Sequence, residues 1–214
     1  MELLKTMLNS SDKFDGRLKY LLSIMAEAGI HNAARGMSSM LGEELTVSEP
    51  TVRLVSINEI MELLGGPEEE AVGIYLRAER KLSGQIMMVV PYQDALELVD
   101  LIMGEPVGTT KQLGRMERSA LSELGNLTGS FFLNAVSELT GLDTRPSPPA
   151  VMVDMIGAIL DILIASWDGL SESVLMIQAT FMRGNKKIQT DFWVIPDRST
   201  LEAIGRKGFI KDAE

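Results

Sequence analysis

The chain repeats itself, and the repeat constrains the fold more than any other feature. Laying residues 20–52 over residues 119–151, an offset of 99, sets Ser38 on Ser137, Met40 on Leu139 and Gly42 on Gly141. Further along, Pro50 falls on Pro149, Val52 on Val151 and Leu54 on Val153. A later stretch matches at an offset of 105, with Val90-Pro91 on Ile195-Pro196 and Leu96 on Leu201. The larger offset places the extra residues of the second copy in the turn at Arg183-Gly184-Asn185. Such a duplication means two copies of one supersecondary unit whose apolar faces must be covered.

Each copy reads as a long helix, a Pro-marked turn, a short strand, a helix, two strands and a last helix. In the first copy the long helix spans residues 18–41, and the strand TVRLVSI follows Pro50. A helix at 58–64 stops at Gly65-Gly66, since glycine favours helix ends. Strands at 71–79 and 84–90 flank a short charged turn, which favours an antiparallel hairpin, and a helix follows at 94–103. The second copy repeats this with strands at 174–183 and 188–195 and a helix at 200–206. The reading is an α/β fold of duplicated halves related by a pseudo-two-fold axis, sharing a mostly antiparallel sheet flanked by long helices. It makes 1–214 one domain: an extension at 1–17, half-repeats at 18–104 and 114–207, a linker at 105–113 (EPVGTTKQL) and a tail at 208–214.

Composition narrows the partners. The chain has 214 residues, 45% of them hydrophobic and 23% charged, the balance of a folded globule. A formal charge of −10 disfavours phosphate backbones and anionic bilayers, whose affinity comes from cations. With no cysteine and one histidine, disulfides, thiolate chemistry and His/Cys zinc sites are out of reach. The charged N-terminus does not read as a signal peptide. The most apolar stretch, 150–165, is broken by Asp154 and Asp161 and is too short to span a membrane, so it reads as a core helix. These features fit a reducing cytoplasm.

The long helix of the second copy carries an unusual stripe. Over residues 117–139, Leu121, Leu124, Phe131, Phe132, Ala135 and Leu139 crowd one side. Ser119, Glu123, Asn126, Ser130, Asn134 and Ser137 form a line on the other, with Glu123 its only ion. Exposed helix faces ordinarily carry Lys, Glu and Arg, whereas Ser and Asn are weaker helix formers. The plain reading is a solvated face. The sharper one is that Glu123 and Asn126, one turn apart, project into a partner. An Asn amide donates and accepts at once, so it can hold a water in a fixed orientation. That suffices where the substrate is already activated, as in phosphoryl transfer, where positioning does most of the work.

At these residues the sequence resembles the CheC/CheX/FliY group of chemotaxis phosphatases. Their pattern is Asp or Ser, three residues, Glu, two residues, Asn, twenty-one residues, Pro. Here it reads Ser119, Glu123, Asn126, Pro148 with every spacing met, inside SALSELGNLTGSFFLNAVSELTG and PSPPAVMVDMIGAIL. The resemblance is closest to a CheC-type protein with a single active centre. It implies a phosphatase for the aspartyl phosphate of a CheY-type response regulator, with Asn126 orienting the attacking water and Glu123 pairing with the regulator's lysine. Ser119 and Pro148 would shape the helix and its packing. The Mg²⁺ would belong to the receiver domain, with no cofactor on this chain, and the receptor deamidase CheD is implied as a second partner. The rival function is a non-catalytic module that sequesters the regulator or serves as a flagellar-switch or CheD-binding adaptor.

The first copy departs from the motif. Ser119, Glu123 and Asn126 fall on Tyr20, Ile24 and Glu27, which cannot reproduce the pair, and Glu27 and Asn32 lie about 140° apart on a helix. One working centre is therefore expected. The apolar Tyr20 and Ile24 would be covered by the N-terminal segment, whose Leu3, Leu4, Met7 and Leu8 share a helical face. His31, one turn after Glu27, reads as half of an exposed Glu–His pair. The methionines read as core filling, as with Met87-Met88 in a strand.

Overall fold

The computed structural model describes residues 16–42, 44, 46–48, 50–165, 173–183 and 186–207. The elements follow the repeat. The first copy supplies α1 (Gly16–Leu41), β1 (Thr46–Val47), β2 (Thr51–Ser56), α2 (Ile57–Leu63), β3 (Glu70–Arg80), β4 (Gly84–Pro91) and α3 (Tyr92–Met103). The second supplies α4 (Arg115–Thr140), β5 (Thr144–Pro146), β6 (Ala150–Met155), α5 (Ile156–Ala165), β7 (Ser173–Arg183), β8 (Lys186–Pro196) and α6 (Arg198–Lys207). Helices α1 and α4 have the same length and keep the offset of 99 along their whole course. Both stop at a glycine in the left-handed region, Gly42 at φ 65° and Gly141 at φ 62°, where a side chain would be strained.

Among the described residues, eight strands form one antiparallel sheet in the order β1-β7-β8-β4-β3-β5, with β2 also beside β7 and β6 also beside β3. Exchanging the halves reverses that order onto itself, which is the pseudo-two-fold. The first strands of each half pair with the hairpin of the other: β2 zips onto β7 and β6 onto β3. The halves are thus interlocked, and neither completes its sheet alone.

Strand register corrects one detail of the repeat. The pair Gly73↔Met152 corresponds to Arg53↔Met176, which keeps β2 and β6 at 99 but sets β3 and β7 at 103. At the sheet centre Met88 pairs with Phe192, and Met87↔Trp193 corresponds to Val89↔Asp191, an offset of 104. Val90 is therefore equivalent to Val194. The apparent match of Val90 with Ile195 fails because the two point to opposite faces: Val90 lies in the larger core and Ile195 in the smaller one. A slip of one residue moves every side chain to the wrong face. Most of the added length enters ahead of β7, in a stretch that includes undescribed residues, and only one residue enters at the β7–β8 turn.

Helices α1, α3, α4 and α6 cover one face of the sheet around a core that includes Ile30, Ile74, Leu121, Leu124, Phe132 and Phe192. Helices α2 and α5 cover the other around Ile60, Met87, Ile159 and Trp193. Met87 and Met88 are both buried, so those methionines do fill core. The 150–165 stretch corrects the core-helix reading: it breaks into strand β6 and helix α5. Its first part is recruited by pairing to β3, a tertiary demand that hydropathy does not reveal. Helix α5 also leaves Ile162 and Ile164 exposed. Among the described residues no helix is long and apolar enough to cross a membrane. The proposed cover over Tyr20 and Ile24 falls on residues 1–15, outside the described ones; Tyr20 is exposed and Ile24 packs half-buried against the core.

Candidate functional site

Helix α4 positions the stripe. Its inner face is clamped by Leu121, Leu124, Phe132, Leu133 and Val136, all buried, and this fixes the rotation of the outer face. Two glycines set how deeply it sits. A Cβ on Gly125 would land on the Cγ2 methyl of Ile74 in β3, and one on Gly129 on the Cδ2 methyl of Leu76. The helix therefore lies with its backbone against the sheet at the point where Asn126 begins the next step.

The long helices brace each other. Asn32 Nδ2 donates to the Phe131 carbonyl at 2.7 Å, and the Phe132 ring fills the place a side chain at Gly29 would take. Asn32 also accepts a hydrogen bond from Arg35. Its amide is spent on structure, which excludes it from acting as the first copy's Asn. His31 and Glu27 are both exposed, but among the described residues no bond joins them, so the expected ion pair is not made.

Ser119 and Glu123 are exposed on α4 and Asn126 is half-buried beside them. Neither Glu123 nor Asn126 makes a side-chain hydrogen bond or ion pair with another described residue. Pro148 is exposed in the β5–β6 loop. That loop is fixed: Ser147 N donates to the Arg77 carbonyl at 2.8 Å, and Arg77 N donates to Ser147 Oγ at 2.9 Å. The next residue, Pro149, lies 3.7 Å from where a Gly125 Cβ would stand. The fold thus draws the proline segment to the helix turn that carries Asn126, across more than twenty residues of sequence.

Sequence reasoning missed Gly125, Gly129 and Ser147, and it missed Asp100. The paired glycines four apart inside a helical pattern were the available signal for close approach to a strand. Asp100 is fully buried on α3, and its carboxylate accepts from Gly108 N at 2.7 Å, Thr109 N at 3.1 Å and Thr110 N at 2.8 Å. Burial pushes that carboxyl up, but the Thr110, Gly108 and Thr109 hydrogen bonds outweigh it and hold the group below the usual carboxylate range. This anchor orders the linker that feeds α4.

Chemically the site is a projecting amide and carboxylate rather than a pocket. The apolar cavity of about 30 Å³ lined by Met25, Phe132, Leu133, Ile177 and Ile195 is far below the few hundred Å³ of a small-molecule site. Among the described residues no three of His, Cys, Asp or Glu converge as metal ligands.

Comparison with known proteins matches residues 116–153 to the CheC-like family, a segment that carries Ser119, Glu123, Asn126 and Pro148. A curated relative, the CheY-P phosphatase CheC of Bacillus subtilis, is 26% identical over 89% of this chain and 95% of its own length. The crystal structure of Thermotoga maritima FliY superposes at a TM-score of 0.75 with 20% identity, covering 90% of this chain and 96% of that one. A CheX–CheY–BeF3–Mg²⁺ complex from Borrelia burgdorferi superposes at 0.50 with 17% identity, over 79% of this chain and 96% of that one. The matched segment, the relative aligned along nearly its whole length and the shared fold make this chain similar to the CheC-like family, with the family match falling on the segment that carries the stripe.

Proposed function

We propose that this chain hydrolyses the aspartyl phosphate of a CheY-type receiver domain by inserting Glu123 and Asn126 into the receiver's own active site. The observation that carries the reading is the pair itself. Two polar side chains one helical turn apart face outward on a helix rigidly seated on the sheet, and among the described residues nothing holds them internally. The relative named as a CheY-P phosphatase supports the substrate, and the structurally similar CheX–CheY–BeF3–Mg²⁺ complex supports a metal supplied by the partner.

In this mechanism the Asn126 amide holds a water in line with the P–O bond to the receiver's aspartate. Water attacks phosphorus, that bond breaks, and inorganic phosphate leaves with the carboxylate regenerated. Asn126 carries no proton away. It contributes by removing the orientational freedom of the water. Glu123 pairs with the receiver's lysine and fixes register. The acidic chain favours encounter with such a cationic group. Ser119 and Pro148 shape the helix and the loop beside it.

The test is phosphate release from a phosphorylated receiver in Mg²⁺. Wild type accelerates it. Asn126→Ala retains binding and loses about a hundredfold in rate, about 3 kcal/mol for one positioned group. Binding without acceleration by wild type would instead establish a sequestering module.

A further inference from the structure

We propose that Met116 is an apolar anchor for the receiver domain, extending the docking stripe beyond its polar pair; this deepens the phosphatase reading and rests on it. Met116 is 66% exposed, the most exposed large apolar side chain among the described residues. Its sequence neighbours Arg115, Glu117 and Arg118 are charged, so the thioether stands alone on an otherwise soluble turn. A single exposed apolar residue is ordinary; the placement of this one is not.

Seven residues separate Met116 from Glu123, so the two lie within about 20° around the helix and about 10 Å along it. A standard interface covers about 800 Å² on each partner, a disc of roughly 16 Å radius. A footprint centred on Glu123 and Asn126 therefore reaches Met116. The repeat supplies an independent argument. The position equivalent to Met116 on α1 is Arg17, in the half where Ile24 and Glu27 replace the functional pair. The apolar residue accompanies the copy with the pair, and a charge stands in the copy without it. An unbranched thioether also adapts to an irregular partner surface.

The experiment measures phosphate release against receiver concentration for wild type, Met116→Ser and Met116→Leu, with Asn126→Ala alongside. Met116→Ser raises KM about tenfold with kcat unchanged, as expected for losing one buried apolar side chain. Met116→Leu stays near wild type, and thermal midpoints do not move, because the site is exposed. Asn126→Ala shows the opposite split, low kcat at unchanged KM. A Met116→Ser KM within twofold of wild type overturns the anchor while leaving the phosphatase reading intact. If wild type releases no phosphate, that reading fails. The anchor is then decided by titrating a beryllofluoride-loaded receiver, where an equal Kd for wild type and Met116→Ser rejects it.

Discussion

Replacing Gly125 with alanine pits two known effects against each other. Alanine in a helix interior is worth about 1 kcal/mol over glycine. Against that, the new methyl meets Ile74 Cγ2. Ile74 is 1% exposed, β-branched, and held in β3 between β4 and β6, so it cannot rotate or retreat cheaply. Overpacking of this kind costs about 1–3 kcal/mol, and burial in a rigid sheet argues for the upper part of that range. The net expectation is a loss of about 1–2 kcal/mol, or about 2–8 °C in melting temperature for a chain of this size. Gly129→Ala meets only the Cδ2 end of Leu76, which can change rotamer, so it should cost less than Gly125→Ala. The helix relieves the Gly125 clash by lifting off the sheet, and this moves Asn126. Misplacement by about 1 Å can cost a hundredfold in rate, so phosphatase activity at 25 °C should fall at least tenfold although the protein remains folded. Calorimetry and phosphate release on the two single variants, and on Gly125→Ala combined with Ile74→Ala, check this. In the double variant the added methyl enters space vacated by Ile74, so the two changes should couple favourably by at least about 1 kcal/mol. A Gly125→Ala protein as stable and active as wild type would refute the account of how the site is seated.

Two other outcomes follow from the same packing. Asp100→Asn should cost about 2 kcal/mol at pH 7, since it replaces charge-assisted hydrogen bonds to three backbone amides. The folded carboxyl sits below its unfolded value of about 3.9, so its stabilisation is present above that pH and vanishes as pH falls through the folded value. Denaturant titrations should show the wild-type advantage in full at pH 7 and shrinking as the pH is lowered below about 3.9. Asn32→Ala should lose about 1 kcal/mol by removing its bond to the Phe131 carbonyl, with catalytic rate unchanged, as melting and phosphate release would show.

Periodicity and repetition revealed most elements, because amphipathic faces are written locally. The two long helices, the hairpins and the glycine stop at Gly65 all fall where pattern and turn chemistry put them. The stripe of Ser119, Glu123 and Asn126 was equally legible, since helical spacing alone places them on one side. What local pattern could not hold was anything set by a partner strand. The 150–165 run is apolar throughout, and only pairing to β3 separates its strand from its helix. The match at Val90-Pro91 looked sound by residue type, and only sheet register shows it is one position off.

The sequence by itself therefore determined that the fold is doubled and which helix face is polar, since both are properties of spacing along one chain. The tertiary structure decided how the halves exchange strands and how Gly125 and Gly129 let α4 settle onto β3. It also decided that Ser147 clamps the proline loop next to Asn126. Those depend on which backbone surfaces approach within van der Waals contact, and residues far apart in sequence share that distance only after the sheet has closed.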